Sequence, residues 1–298
     1  MRRLARRLYA CLPFKRHIYA VFRGFGIVPP FFQHLHFKGP FELAIDRDRS
    51  IKLLSTGNIV ENELFWLGFG NGWEGTSLRL WRRVCEGADG VILDIGANSG
   101  VYALVAARLA PAARVIAFEP ITRVAAQLRR NVGLNDLPVE IEEKAVSNQA
   151  GSIAMFDDPV AFNYSASIEG QGPDATKIEV PVCTIDGYLD PAAHLTALKI
   201  DIERHEPKAI AGMLESLAKH RPVILIEILD EDIGAAVDEQ LRDLEYRKFH
   251  IVEGKGLVQT DRLAPLSGDD WNHLLCTQDQ FERLRLADFL YLGSSKDK

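Results

Sequence analysis

The 298-residue sequence predicts an α/β fold, a doubly wound and mostly parallel sheet preceded by a helical and hairpin extension. Three observations predict it. From Val91 onward, short apolar strands alternate with amphipathic helices, the pattern of βαβ units around a buried sheet. The first of those strands ends in an acid and a glycine turn, as a parallel strand does where its carboxyl end faces a ligand crevice. Upstream, the alternation has a period of two, as in a hairpin.

Each element follows in order. Leu4, Leu8, Cys11 and Leu12 have helical spacing on an Arg-rich segment that Pro13 stops, and His17 to Phe22 is a second apolar stretch before Pro29-Pro30. Phe41, Leu43 and Ile45 alternate with polar residues, Asp46 to Ser50 is turn-like, and Ile51 to Leu54 resumes the pattern, which makes a β-hairpin. Thr76 to Cys85 reads as a helix. Strands are expected at Val91–Ile95, Arg114–Phe118, Val139–Ala145, Ser152–Phe156, Leu198–Ile202 and Val223–Ile228. Helices are expected at Tyr102–Leu109, Thr122–Leu134 and Glu206–Lys219, with two more, Asp269–Leu275 and Gln280–Phe289, capping one end. The division this gives is a basic arm and hairpin (1–72), a core (73–253) and a helical addition packed on it (254–298).

Composition narrows the function. Hydrophobic residues make up 47% and charged ones 26%, enough apolar surface for a large core. Cys11, Cys85, Cys183 and Cys276 lack the close spacing of a zinc or redox motif, so reduced thiols in a cytosolic protein are expected. No apolar run is long enough to span a bilayer, and Pro13, Lys15 and Arg16 interrupt any signal-peptide core. Eight positive residues and no acid precede Glu42, so with −6 on the whole chain the remainder carries −14. An acidic body speaks against a nucleic-acid partner.

The strongest motif is Val91-Ile-Leu-Asp94-Ile-Gly96-Ala97-Asn98-Ser-Gly100, and a second acid, Glu119, closes the next strand before Pro120. Glycines let the backbone approach a ligand closely, and an acid in the Glu119 position can take both hydroxyls of a ribose. A nicotinamide fold wants Gly-x-Gly-x-x-Gly with a pyrophosphate at the helix N-terminus, where the Asp94 carboxylate would repel it. A cationic aminoacyl sulfonium such as S-adenosylmethionine would tolerate that charge or gain from it. An α/β turn with no ligand is the remaining alternative.

A second cluster is Lys199-Ile-Asp201-Ile-Glu203-Arg-His205-Glu206-Pro207. In a strand, Lys199, Asp201 and Glu203 share one face, and Pro207 suits the first turn of the following helix. A carboxylate or His there can take a proton from an acceptor hydroxyl, and such clusters can also hold a divalent cation. The plainer alternative pairs Lys199 with an acid and leaves His205-Glu206 as a helix cap. Asn163 to Ser167 is a polar loop that could lie beside a substrate. Glu227 ends an apolar strand with no visible partner.

Across Trp73 to Ile228 the sequence resembles the FkbM-type methyltransferases. Asp94–Gly100, Ala117–Pro120, Arg130–Asn135, Val180–Asp186 and Leu198–Glu203 with His205-Glu206 carry the resemblance in order and spacing. It implies a Rossmann-like, class I methyltransferase fold using S-adenosyl-L-methionine, acting on an oxygen of a sugar, a glycan or a secondary metabolite. By position, Asp94, Gly96, Ala97, Asn98 and Gly100 would line the methionine and ribose part, Glu119 with Pro120 the ribose, and Glu74 the ammonium end. Asp201, Glu203, His205 and Lys199 would form the catalytic cluster, with no residue assigned to a metal and a divalent cation left open. The family usually has Gly where this chain has Arg204, which strains any left-handed backbone there.

The expected protein is therefore a methyltransferase with a small-molecule or glycan acceptor, in the cytoplasm. The rivals are a nicotinamide-dependent oxidoreductase and a non-catalytic cofactor-binding module. Residues 1–23 would either rest weakly on the inner face of a membrane or pack on the acidic body. The oligomeric state is left open.

Overall fold

The computed structural model describes residues 14–157, 166–167, 176–266 and 270–291. The helical face of Leu4, Leu8, Cys11 and Leu12, and Asn163 to Ser165 of the polar loop, lie outside the described residues.

Helix α1 (Lys15–Gly24) opens the described chain, and the hairpin follows as β1 (Gly39–Ala44) paired antiparallel with β2 (Ser50–Ser55). Leu43, Ile51 and Leu53 on its inner face are fully buried, so the period-two pattern does mark the buried side. Helices α2 (Ile59–Leu67) and α3 (Gly75–Cys85) lead into the central sheet.

The sheet is then built by β3 (Val91–Ile95), α4 (Val101–Leu109), β4 (Arg114–Phe118), α5 (Thr122–Asn135) and β5 (Val139–Glu142). A four-stranded side sheet of β6 (Ala145–Val146), β7 (Gly151–Asp157), β8 (Ala166–Ser167) and β9 (Thr176–Cys183) interrupts it. The chain returns through α6 (Ile185–Tyr188), β10 (Leu195–Ile200), α7 (Glu206–Ala211), α8 (Leu214–His220), β11 (Val223–Glu227) and α9 (Glu231–Leu241). It ends with β12 (Arg247–Val252), β13 (Gly256–Thr260), β14 (Asn272–Cys276) and α10 (Gln278–Arg283). The eight strands lie in the order β13-β12-β14-β11-β10-β3-β4-β5, parallel from β11 to β5, with β14 antiparallel to both its neighbours. β3, with all five residues buried, sits in the middle and packs apolar clusters on both faces.

Three expected elements are corrected. Asp269–Leu275 is not a helix, because Asn272–Cys276 pairs as a fully buried strand between β11 and β12. The single helix Glu206–Lys219 breaks in two at Gly212, where an added Cβ would lie 2.0 Å from the Ser147 carbonyl oxygen; the helix bends there to pass that backbone. The strand Val139–Ala145 ends at Glu142, and Ala145 starts the side sheet.

The quoted motifs acquire structural roles. Asn131 and Asn135 of α5 accept from Leu54 N–H (2.8 Å) and Lys52 N–H (2.7 Å), and Asn131 Nδ2 donates to the Ser99 carbonyl (2.7 Å). This segment thus joins the hairpin to the helix and to the glycine turn. Asp186 accepts from Ser216 N–H (2.8 Å) and Glu215 N–H (3.1 Å), satisfying donors at the start of α8.

Candidate active site

The order of the sheet reverses between β3 and β10, so the crevice beyond their carboxyl ends is the switch point where doubly wound folds bind ligands. Lys199 lies opposite Asp94, and Ile200 opposite Ile95. Beyond the strands, Asp201 N–H donates to the Ile95 carbonyl (3.0 Å), which brings the two loops together. Gly96 permits this contact. It has φ +81°, and a Cβ on it would fall 1.8 Å from the Asp201 carbonyl oxygen.

The turn spends its own donors. Gly96 and Ala97 N–H both donate to the Phe118 carbonyl (3.0 and 2.9 Å) and Gly100 N–H to the Ala97 carbonyl (2.8 Å). Asn98 N–H donates to Glu119 (3.0 Å), whose other oxygen accepts from Ile121 N–H (3.0 Å). Asp94, buried beneath the turn, accepts from Ala103 N–H in the first turn of α4 (2.8 Å). The helix N-terminus that would take a pyrophosphate is therefore occupied by a carboxylate.

A cleft of about 860 Å³ opens at this point. Of the twelve site residues expected from sequence, eight line it: Glu74, Gly96, Asn98, Glu119, Pro120, Asp201, Glu203 and His205. The other four do not reach its surface, which corrects their expected place. Asp94 is turned toward the α4 N-terminus, Ala97 is buried by its bond to Phe118, and Gly100 is a packing position whose Cβ would meet Leu128 Cδ1 at 2.2 Å. Lys199 lies 1% exposed behind the wall, 3.4 Å from both Asp201 and Asn272 Oδ1, with its ammonium 5.3 Å from the Tyr102 ring. The shared strand face ends with Asp201, because Glu203 (φ 53°) and Arg204 (φ 76°) both turn left-handed. Arg204 thus sits in the conformation that a glycine would take without strain, and its side chain pairs with Asp230 at the N-cap of α9.

The cleft is strongly acidic. Glu63, Glu74, Glu119, Asp201, Glu203, Glu227, Glu253 and Asp270 all contribute, against Lys144 as the lysine in its wall. Burial pushes Glu119 and Asp94 up to about 7. Glu227 is raised by burial and then by the Asp201 charge, with the Lys199 ammonium opposing the rise. For Lys199, burial alone would lower the pKa, but Asp201, Glu74, Glu227 and Asp94 together raise it. Glu74, raised by burial, accepts from the Tyr102 hydroxyl. His205 is pulled down to about 4 by burial, so it is neutral, with Nε2 2.9 Å from Ser147 Oγ. It does not cap α7; Glu206 turns back to accept from Ile202 N–H (3.2 Å).

The walls fit an aminoacyl sulfonium nucleoside. Asn98 Oδ1 is buried without a partner, and Glu119 is held by two backbone donors with further lone pairs for hydroxyls. The surplus of carboxylates suits a cation. Among the described residues no group of three or more His, Cys, Asp or Glu side chains is arranged to hold a metal ion.

Sequence reasoning missed Glu253, Asp270, Trp271 and Asn272. Glu253 follows β12 as Glu119 follows β4, a signal present in the sequence; its oxygens accept from Thr76 N–H (2.6 Å) and Ser77 N–H (3.1 Å) at the start of α3. Asp270 and Trp271 precede β14 and Asn272 opens it, and only the antiparallel direction of that strand brings them to this end of the sheet. Glu227, which had no visible partner, also lines the cleft, within the electrostatic reach of Asp201 and Lys199.

A doubly wound sheet in which β14 and β13 run against the other strands, with an acid-lined crevice at the switch point, has the architecture of the class I methyltransferases. Residues 94–248 match the methyltransferase FkbM domain, and the chain belongs to that family. It is 45% identical over 185 residues to the AMB antimetabolite synthetase AmbE of Pseudomonas aeruginosa, covering 49% of this chain and only 9% of that protein. It is 29% identical over 177 residues to the 2-O-methyltransferase NoeI of Sinorhizobium fredii, covering 53% of this chain and 72% of that protein. A crystal structure of methyltransferase FkbM from Methylobacillus flagellatus superposes over 63% of this chain and 43% of the other, at 18% identity. The TM-score of that superposition is 0.39.

Proposed function

We propose that this chain transfers the methyl group of S-adenosylmethionine to a hydroxyl oxygen on a sugar, a glycan or a secondary metabolite. The observation that carries the reading is the acid-lined cleft at the β3–β10 switch point, with Asp201 in its wall 3.4 Å from the buried Lys199 ammonium. The names of the two relatives, one a 2-O-methyltransferase and one an antimetabolite synthetase, support the choice of acceptor.

In this reading Glu119 and Asn98 hold the ribose beside Pro120, Gly96 lets the nucleoside approach the turn, and Glu74 faces the ammonium end. When bound, S-adenosylmethionine supplies an electrophilic methyl on a sulfonium. Asp201 and Glu203 orient the acceptor hydroxyl in line with it. As that oxygen gains the methyl it becomes positive and its proton acidic, so a preorganised carboxylate stabilises the charge and accepts the proton. Lys199 holds Asp201 in place. His205 is neutral and bonded to Ser147 at the edge of this cluster.

Two rivals fare differently. The spent turn donors and the Asp94 carboxylate at the α4 N-terminus leave no place for a nicotinamide pyrophosphate. The left-handed Arg204 is the observation that favours a binding module without turnover. Mass spectrometry on extracts incubated with labelled S-adenosylmethionine tests the proposal. A hydroxylated product carrying one labelled methyl supports it; cofactor binding with no labelled product favours the binding module.

A further inference from the structure

The described residues leave eleven large hydrophobic side chains well exposed, and eight of them fall between residues 14 and 31. Phe14, Ile18, Val21, Phe22, Phe25 and Phe31 are among them, with Phe25 78% and Phe14 72% exposed. Such crowding is unlike the scattered single exposures normal on a protein surface.

Helix α1 explains how they come together, because it is mounted with its apolar side outward. Tyr19 is its buried residue, packed on Trp66 of α2 at 5.2 Å between ring centres. Arg23 also faces the body, donating to the Glu42 carbonyl (3.0 Å) with its guanidinium 5.3 Å from the Phe65 ring centre. Ile18, Val21, Phe22 and Phe25 then point away from the domain at helical spacing. Water is a poor neighbour for this face.

We infer that this face rests on an anionic lipid bilayer. Charge selects the lipid over a second copy of the chain. Among the described residues before Glu42, Lys15, Arg16, Arg23 and Lys38 are positive and none is acidic, so two copies meeting through this segment would set like charges together, whereas an anionic leaflet complements them. The contact is interfacial, since no helix among the described residues is long and apolar enough to cross a membrane. Because α1 packs on α2, and Ile59 and Val60 of α2 line the cleft, the bilayer would lie beside the helix that forms one cleft wall.

The test compares the full chain with its Val21→Glu/Phe25→Glu variant, both positions being exposed and outside the cleft. Each is sedimented with phosphatidylcholine vesicles and with phosphatidylcholine–phosphatidylglycerol vesicles, and thermal unfolding checks that the variant keeps its fold. The intact chain is expected to pellet with the anionic vesicles, less so as salt rises and hardly with the neutral ones. In the double variant, partition should fall roughly tenfold or more, since burying one large apolar side chain is worth about a decade. Equal partition of variant and intact chain overturns the inference. So does failure of the intact chain to pellet, and a dimer in ultracentrifugation that the variant loses would then assign the face to a second copy.

Discussion

Replacing Glu119 separates its two duties. Its carboxylate is 6% exposed and accepts from two buried backbone donors, Asn98 and Ile121 N–H, each at 3.0 Å. Glu119→Ala orphans both, at about 1–3 kcal/mol each, so the fold should lose roughly 2–6 kcal/mol. At about 2–4 °C per kcal/mol for a chain this large, Tm should drop by roughly 4–24 °C. Glu119→Gln keeps one acceptor and should lose less. Both should weaken S-adenosylhomocysteine binding by about 1.5–3 kcal/mol, on the order of 10- to 100-fold, the worth of a hydrogen bond to a charged group. The pH dependence has a definite sign. Burial raises this carboxyl from 4.5 to about 7, so its penalty on the fold is full above 7 and is relieved as pH falls toward 4.5. Ribose hydroxyls need the ionised acceptor, so affinity should weaken over the same fall. Calorimetric titrations at pH 8 and 6 on the intact chain and on Glu119→Gln read both effects. Unchanged affinity in the variant, or intact-chain affinity that does not weaken toward pH 6, would refute the reasoning.

Three other perturbations follow from the same geometry. Asp201→Asn keeps the shape and removes the charge beside Lys199, so turnover should fall by about 10²-fold with little change in cofactor affinity; steady-state kinetics and calorimetry together check it. Gly96→Ala drives a methyl into the Asp201 carbonyl from a left-handed backbone and should cost at least about 3 kcal/mol in chemical denaturation, and a loss under 1 kcal/mol would show that the loops move apart freely. Arg204→Gly relieves about 1 kcal/mol of backbone strain and forfeits a half-exposed ion pair with Asp230 of similar worth, so stability should change by less than about 1 kcal/mol. Turnover that appears only in Arg204→Gly would identify the natural chain as a binding module.

Where the hydrophobic pattern was strong the sequence was legible: Val91–Ile95 and Arg114–Phe118 are strands with the bounds their apolar runs imply. The acids that close those runs, Asp94 and Glu119, do gather at the switch point. What the pattern could not convey was orientation. Asp94 and Glu119 end neighbouring strands in the same way, yet one turns under the turn to meet Ala103 and the other faces the cleft. Asn272–Cys276 was misread because its apolar run is short and fully buried, so its period does not tell helix from strand. The contribution of Asp270 and Trp271 follows from the antiparallel direction of β14, a tertiary fact with no local signal. Arg204 is the opposite case: one missing glycine marked a left-handed position, and φ 76° is what the backbone adopts.

The most direct test of the account is a crystal structure of the chain with S-adenosylhomocysteine bound. The account predicts the nucleoside in the crevice between β3 and β10, its ribose hydroxyls on the Glu119 carboxylate and its sulfur facing Asp201. A nucleoside bound elsewhere, or in the crevice with Glu119 unengaged, would contradict it.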